Sequence, residues 1–162
     1  MSDEQTKQAL GRALGRIPSG VFILTTRHNE QRSAMMASWV QQAAFDPPAV
    51  SIALAKGRPI AQLIAAGGRC ALSILPAGDT SLMKRYARGA EPGADPFAGV
   101  AIIDTPAGQP ALADALAYLD CRVITKADFG GDHDLLIAEV EHGQLLRDGQ
   151  AFTHQRGNGF HY

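Results

Sequence analysis

A mainly β fold, an antiparallel barrel closed or partly split and wound with Greek-key connections, is what this sequence predicts. Three observations lead there. Short apolar runs rich in β-forming residues recur along the chain, each bounded by Gly, Pro, Asn or Asp. Strand-like and helix-like segments do not alternate, and no GxGxxG is present, which argues against a doubly wound nucleotide-binding domain. A barrel also removes exposed sheet edges in a chain of 162 residues, a length that suits one domain with a proper core.

The elements follow in order. Ala9, Leu10, Ala13, Leu14 and Ile17 recur at helical spacing up to a stop at Pro18-Ser19-Gly20. Val21 to Thr26 then reads as a strand, and His28-Asn29-Glu30-Gln31 as the tip that returns the chain into Arg32 to Trp39. Asp46-Pro47-Pro48 is a turn before the buried strand Ala49 to Ala55. Pro59 to Ala66 fits a short helix with Pro in its first turn, ended by Gly67-Gly68 before a strand from Arg69 to Leu75. Thr80 to Tyr86 predicts one or two more helical turns. From Ala87 to Pro110, Gly, Pro, Ala and Asp indicate a long surface excursion around the small apolar run Val100 to Ile103. Ala115 to Thr125 and Leu135 to Leu146 complete the set as two long strands joined by a turn at Phe129 to His133. The sum is six or so strands and two or three short helices.

Composition narrows the function classes. Fifteen basic and sixteen acidic side chains give a net charge of −1, which supplies no field to attract nucleic acid or anionic lipid. Cys70 and Cys121 are far apart inside apolar runs, as reduced core residues are, without metal-site or dithiol spacing. The polar N-terminus is unlike a signal peptide, and no apolar run reaches the roughly 18 residues of a membrane span. A cytoplasmic protein that binds neither nucleic acid nor membrane is expected. The five His residues lack the spacing of an HExxH metal site, and Ser38 lacks a GxSxG setting. Missing catalytic constellations suit a protein whose hard chemistry is done by a bound cofactor.

The stretch Ala34 to Ile60 reads as the cradle for such a cofactor. It offers small residues, a Trp, the paired amides Gln41 and Gln42, and a basic turn, the groups needed to hold a flat polar-edged ring and a phosphate. Trp39 suits stacking on a ring or filling the core. Lys56 and Arg58, ahead of a helix start, suit a phosphate clamp.

In order along the chain come Ser19-Gly20-Val21, Thr25-Thr26, Met35-Met36-Ala37-Ser38-Trp39, Phe45-Asp46-Pro47-Pro48, Gly68-Arg69, Leu116 to Cys121, Gly131-Asp132-His133 and His154-Gln155-Arg156-Gly157. In this set the chain resembles the flavin reductase-like family. Ala34 to Val40, Ala55 to Ile60, Leu82 to Tyr86 and Pro92 to Asp95 make it most similar to the flavin reductase-like module at the C-terminal end of cyanobacterial flavodiiron proteins, here as a free-standing version.

The resemblance implies an FMN-binding split barrel that works as a homodimer. It implies cofactor-binding roles for Ala37, Ser38, Trp39, Val40, Gln41 and Gln42 along the flavin ring, with Ala53, Ala55, Lys56, Arg58 and Pro59 beside them. His154 and Arg156 border the same cavity, where Phe160, His161 and Tyr162 are candidates to cap it. His133 is the candidate catalytic residue, a positioning or charge-tuning group on the nicotinamide side. The implied activity is NAD(P)H:flavin oxidoreduction with FMN, or FAD, as flavin and NADH or NADPH as donor. Reduced flavin or electrons then pass to a partner such as a monooxygenase or an oxygen-reducing protein. The alternative is a flavin-binding electron-transfer or storage protein with no working nicotinamide site.

Overall fold

The computed structural model describes residues 2–78, 80–91 and 93–161, so Pro92 and Tyr162 of the motifs above lie outside the described residues. Its centre is a seven-stranded, wholly antiparallel sheet. The strands are β2 (Phe22–His28), β3 (Gln31–Ala37), β4 (Val40–Phe45), β5 (Pro48–Ala55), β6 (Arg69–Ile74), β9 (Ala117–Asp128) and β10 (His133–Leu145). The spatial order is β3-β2-β6-β9-β10-β5-β4. The two edge strands, β3 and β4, are consecutive in sequence and separated only by Ser38 and Trp39. Ala37 and Val40 are three residue steps apart, about 11 Å at most, so the sheet must curl until its edges approach at this corner. The edges are not hydrogen-bonded to each other, and the barrel is split there. Ala53 N–H donates to Trp39 O at 2.9 Å and ties the corner to β5.

β4 was not expected as a strand. Its sequence, VQQAAF, lacks polar and apolar alternation because it is an edge strand whose side chains from Gln41 to Ala43 are exposed, with an irregularity between Gln42 and Ala44. β2, rich in β-forming residues, shows no alternation of polar and apolar side chains because both of its faces are covered. Leu24 joins the core inside the barrel with Ile52, Leu72 and Leu136, while Ile23 joins a second core with Leu75, Phe97 and Leu112.

That second core corrects the picture of a surface excursion. The segment carries the short strand β7 (Ile102–Asp104), which pairs with β8 (Pro110–Leu112) at its end, and Phe97 and Pro110 within it are buried. Buried polar residues of the barrel, and Gln109 of the segment itself, hold it. Leu112 N–H donates to Ser73 Oγ (2.9 Å), Ala107 N–H to Asp120 Oδ2 (2.9 Å), and Arg27 N–H to Gln109 Oε1 (2.8 Å). Such bonds are invisible to hydropathy, since Thr, Gln and Asp read as loop signals until their partners are known.

Three helices flank the sheet: α1 (Asp3–Leu14), α2 (Pro59–Gly67) and α3 (Ser81–Ala87). α1 starts at a capping box formed by Ser2 and Gln5, and α2 ends at Gly68 in the left-handed conformation (φ 68°). The remaining strands, β1 (Ser19–Gly20) and β11 (Thr153–His154), pair with each other and bring the C-terminal segment back beside α1. There the chain packs closely. Gly159 N–H donates to Gly11 O at 2.7 Å, and Gln155 Nε2 donates to Arg16 O at 3.1 Å. A Cβ on Gly15 would lie 2.7 Å from Arg156 O, and one on Gly159 would collide with Leu14 Cβ. Glycine is required at both positions for the tail to dock.

The two cysteines are free and fully buried, facing each other in register across β6 and β9. The Cys121 side chain first, and then burial, push the Cys70 thiol well above its usual range.

Candidate active site at the barrel seam

The split produces the site. Ala37 and Ser38 at the corner are small and buried, and Ala53 and Ala55 on β5 are half-buried, so ligand-sized space opens against the backbone. Two cavities flank the corner. One, of about 140 Å³, is lined by Ala37, Ser38, Ala53, Ala55, Arg58 and His133 together with Met35, Met36, Tyr86 and Gly89. The other, of about 500 Å³, is lined by Ser38, Trp39, Val40, Gln41, Ala53 and Arg156 together with Ile17, Pro18, Ser19 and Ser51. Ser38 and Ala53 line both, so the two cavities adjoin at this pair and together form the seam groove.

Three polar side chains face this groove, two without a protein partner among the described residues and one with a ring nitrogen to spare. Ser38 is 4% exposed, and its hydroxyl makes no hydrogen bond with a described residue. Arg58 caps the start of α2, and its guanidinium has no ion pair or hydrogen bond among the described residues. His133 is the third. The first residue of β10, it stands opposite Ala55 in register and is 9% exposed. Its Nδ1 lies 2.8 Å from Asp132 Oδ1. An ionised carboxylate can only accept, so Nδ1 carries the proton of this bond and Nε2 is left for a ligand. The imidazole holds the Asp132 carboxyl below its usual range.

Trp39 belongs to the groove wall and not to either core. Its ring is half-buried, 4.7 Å from the His133 ring centroid at 43°, with the Arg156 guanidinium 5.0 Å from its own centroid. Tail docking on α1 is what delivers Arg156 to this position.

Other expected residues lie elsewhere. The Lys56 ammonium is 2.7 Å from Asp128 Oδ1, a contact that raises the lysine pKa, and Lys56 N–H donates to Asp132 O at 3.0 Å. Lys56 thus fastens β5 to the β9–β10 turn, and Gly57, at φ 80°, makes the reversal that sends Arg58 the other way. Gln42 lines a separate groove beside Phe22 and Leu119, and its Nε2 donates to Ala44 O at 3.4 Å. Gln41 borders both grooves. Pro59 lines a further cleft beyond Arg58, and His154 pairs through β11 with Ser19, one strand behind the wall. Phe160 packs near Gly11 and lines neither cavity, and His161 is exposed.

Tyr86 was assigned no role from sequence. Buried at the end of α3, it donates its hydroxyl to Pro96 O at 3.0 Å and presents its ring to the smaller cavity. Leu82, Met83 and Tyr86 sit at spacings of three and four, a stripe whose one polar tip was the available signal.

Fold and seam together define a split antiparallel barrel with a ligand-sized groove along the split. The model of the flavin reductase-like domain matches residues 14–160. The chain belongs to the flavin reductase-like family. It is 41% identical over 155 residues to diflavin flavoprotein A 1 of Synechocystis sp., covering 94% of this chain and 27% of that protein. The chain therefore spans about a quarter of the length of the curated relatives it matches. Among solved structures it resembles the NADH:FAD oxidoreductase SgcE6 of Streptomyces globisporus (TM-score 0.83, 26% identity, 98% of this chain and 92% of that one). It also resembles a nitrilotriacetate monooxygenase component B from Mycobacterium thermoresistibile (TM-score 0.82, 29% identity, 96% and 84%).

Proposed function

We propose that this chain is an NAD(P)H-dependent flavin oxidoreductase. The reading is carried by three unpartnered polar groups, the Ser38 hydroxyl, His133 Nε2 and the Arg58 guanidinium, converging on one groove walled by small residues. Buried or cleft-lining polar groups without protein partners point to a ligand that satisfies them. The donor set fits a flavin: Ala37, Ala53 and Ala55 permit a flat ring to approach the backbone, and Arg58 suits a phosphate. Such a flavin supplies the N5 that accepts a hydride from nicotinamide C4.

The residues of this chain have the tasks of binding, orienting and excluding water. Ser38 offers a donor and an acceptor to the ring edge from the point where the two cavities meet. Trp39, held against His133 and Arg156, forms an aromatic wall that removes water from the larger cavity. His133, fixed by Asp132 through Nδ1, presents Nε2 as an acceptor for the carboxamide N–H of a nicotinamide. Orientation of this kind supplies most of what a hydride donor and acceptor need, and no strong acid or base is required.

Reduced flavin or electrons then leave for an acceptor protein. The likeness to a monooxygenase component B and to a diflavin flavoprotein supports a monooxygenase or an oxygen-reducing partner. Exposed Ile17 and Phe45, the latter 91% accessible at the end of edge strand β4, support a homodimer. No helix among the described residues is long and apolar enough to cross a membrane, and a cytoplasmic location is part of this proposal. The test is steady-state oxidation of NADH and NADPH with FMN, FAD and riboflavin. Saturable turnover with at least one pair is expected, and none with any pair would refute the activity.

A further inference from the structure

Cys70 and Cys121, the only two cysteines of the chain, line neither cavity of the seam. They stand directly opposite each other on β6 and β9, neighbouring strands of the sheet whose register is unbroken from Arg69 to Ile74. Both belong to the core inside the barrel with Leu24, Leu72 and Ala138, so their side chains leave the sheet on the same face. The thiols are hydrogen-bonded to each other, and both residues are fully buried. Directly opposed residues of an antiparallel pair hold their β-carbons about 4.5–5.5 Å apart, whereas a disulfide needs about 3.5–4.5 Å. A local shift of about 1 Å therefore brings the two sulfurs to bonding geometry.

We infer that Cys70 and Cys121 are a latent disulfide site in the middle of the sheet, closed by hydrogen peroxide and reopened by a dithiol. Cys70, whose thiol is pushed well above its usual range by Cys121 first and burial second, keeps its proton, which leaves Cys121 as the sulfur that meets the oxidant. The Cys121 sulfur attacks one oxygen of the peroxide, the O–O bond breaks, and the departing hydroxide leaves as water with the Cys121 proton. Cys121 is then a sulfenic acid. The Cys70 sulfur attacks the Cys121 sulfur, the S–O bond breaks, and the hydroxyl leaves with the Cys70 proton as a second water. Two thiols and one peroxide become one disulfide and two waters. Burial makes the first step slow, and it also decides the product. It admits only a small oxidant, keeps both sulfurs away from a second chain, and leaves the sulfenic acid beside Cys70 before another peroxide arrives. The bond closes a long loop that contains α3, β7 and β8 and carries Tyr86 and Gly89 of the smaller seam cavity. A cross-link over such a loop removes freedom from the unfolded chain and raises stability.

The test holds the folded natural chain overnight in millimolar hydrogen peroxide, removes the oxidant with catalase, unfolds the chain in iodoacetamide and maps its peptides by mass. Alkylatable thiols should fall from two per chain to none, with the Cys70 and Cys121 peptides joined and lighter by two hydrogens. Dithiothreitol should restore both thiols, no covalent dimer should form, and the oxidised chain should melt at a higher temperature than the reduced one. Cys70→Ala removes the resolving sulfur and should turn the product at Cys121 into sulfinic or sulfonic acid. Two thiols still alkylated in the natural chain, sulfinic or sulfonic acid at either cysteine of that chain, or a bond that forms only after urea has unfolded it, would overturn the site. These results are read on the natural chain, so they decide the matter whether or not the variant folds.

Discussion

His133 does its proposed work through one free nitrogen. Its Nδ1 is engaged by Asp132 and its ring is braced on Trp39, so Nε2 has a fixed direction. Replacing His133 by Ala should lower kcat/KM for the nicotinamide donor about tenfold to a hundredfold, the range expected for misplacing a reactant. Flavin affinity should stay within about threefold, because the proposed ring contacts of Ser38 and Ala53 do not involve His133. Parallel kinetic and binding titrations check this split. Lys56 and Arg58 separate in the same way. Arg58→Ala should weaken FMN much more than riboflavin, which has no phosphate, whereas Lys56→Ala should leave that ratio unchanged, since the ammonium is spent on Asp128. A changed ratio in Lys56→Ala would restore the two-cation clamp. Sequence alone made the pair look equivalent, because nothing in a basic turn tells which cation has a carboxylate waiting 72 positions later.

Two elements govern the site from a distance. The first is the docked tail: Gly15 and Gly159 let it approach α1, and it carries Arg156 to Trp39. Gly159→Ala should undock it, detectable as a changed Trp39 emission spectrum in a protein with one Trp, with the far-UV spectrum retained. The second is the β9–β10 hairpin, whose ion pairs link Glu141 to Arg69 and Arg122 and Lys56 to Asp128. Arg69 first, and then Arg122, hold the Glu141 carboxyl below its ordinary 4.5. A carboxyl depressed in the folded state adds stability above its unfolded pKa and loses it as pH falls through the folded value. The Tm difference between the natural chain and Glu141→Gln should therefore be present at neutral pH and shrink below about pH 4. A difference independent of pH would show that packing, not charge, is what the substitution removes. Helices and central strands were legible because period and turn residues are local properties. β4 and the β7–β8 excursion were not, since an edge strand needs no alternation and the excursion is held by polar contacts to Ser73 and Asp120.

At the scale of the molecule, the barrel is defined by where it fails to close. Order β3-β2-β6-β9-β10-β5-β4 brings two chain-adjacent edges together at Ser38 and Trp39 without joining them, and the groove follows that line. Edge strands with exposed apolar residues seek partners. Light scattering should give a mass of twice 17.1 kDa, and Phe45→Lys should shift it toward the monomer. The family was legible in the ordered motifs from Ser19 to Gly157, each a short reading of one structural necessity. The convergence of Ser38, Arg58 and His133 was only half legible, since their types stand in the sequence but the free hydroxyl, guanidinium and Nε2 they turn to one cavity do not. Whether that convergence serves turnover is tested most directly by anaerobic titration of the flavin-loaded protein with NADH and with NADPH, followed at the visible flavin band. Stoichiometric bleaching by at least one nucleotide is predicted. A band that neither nucleotide bleaches would contradict the reductase and leave a flavin carrier.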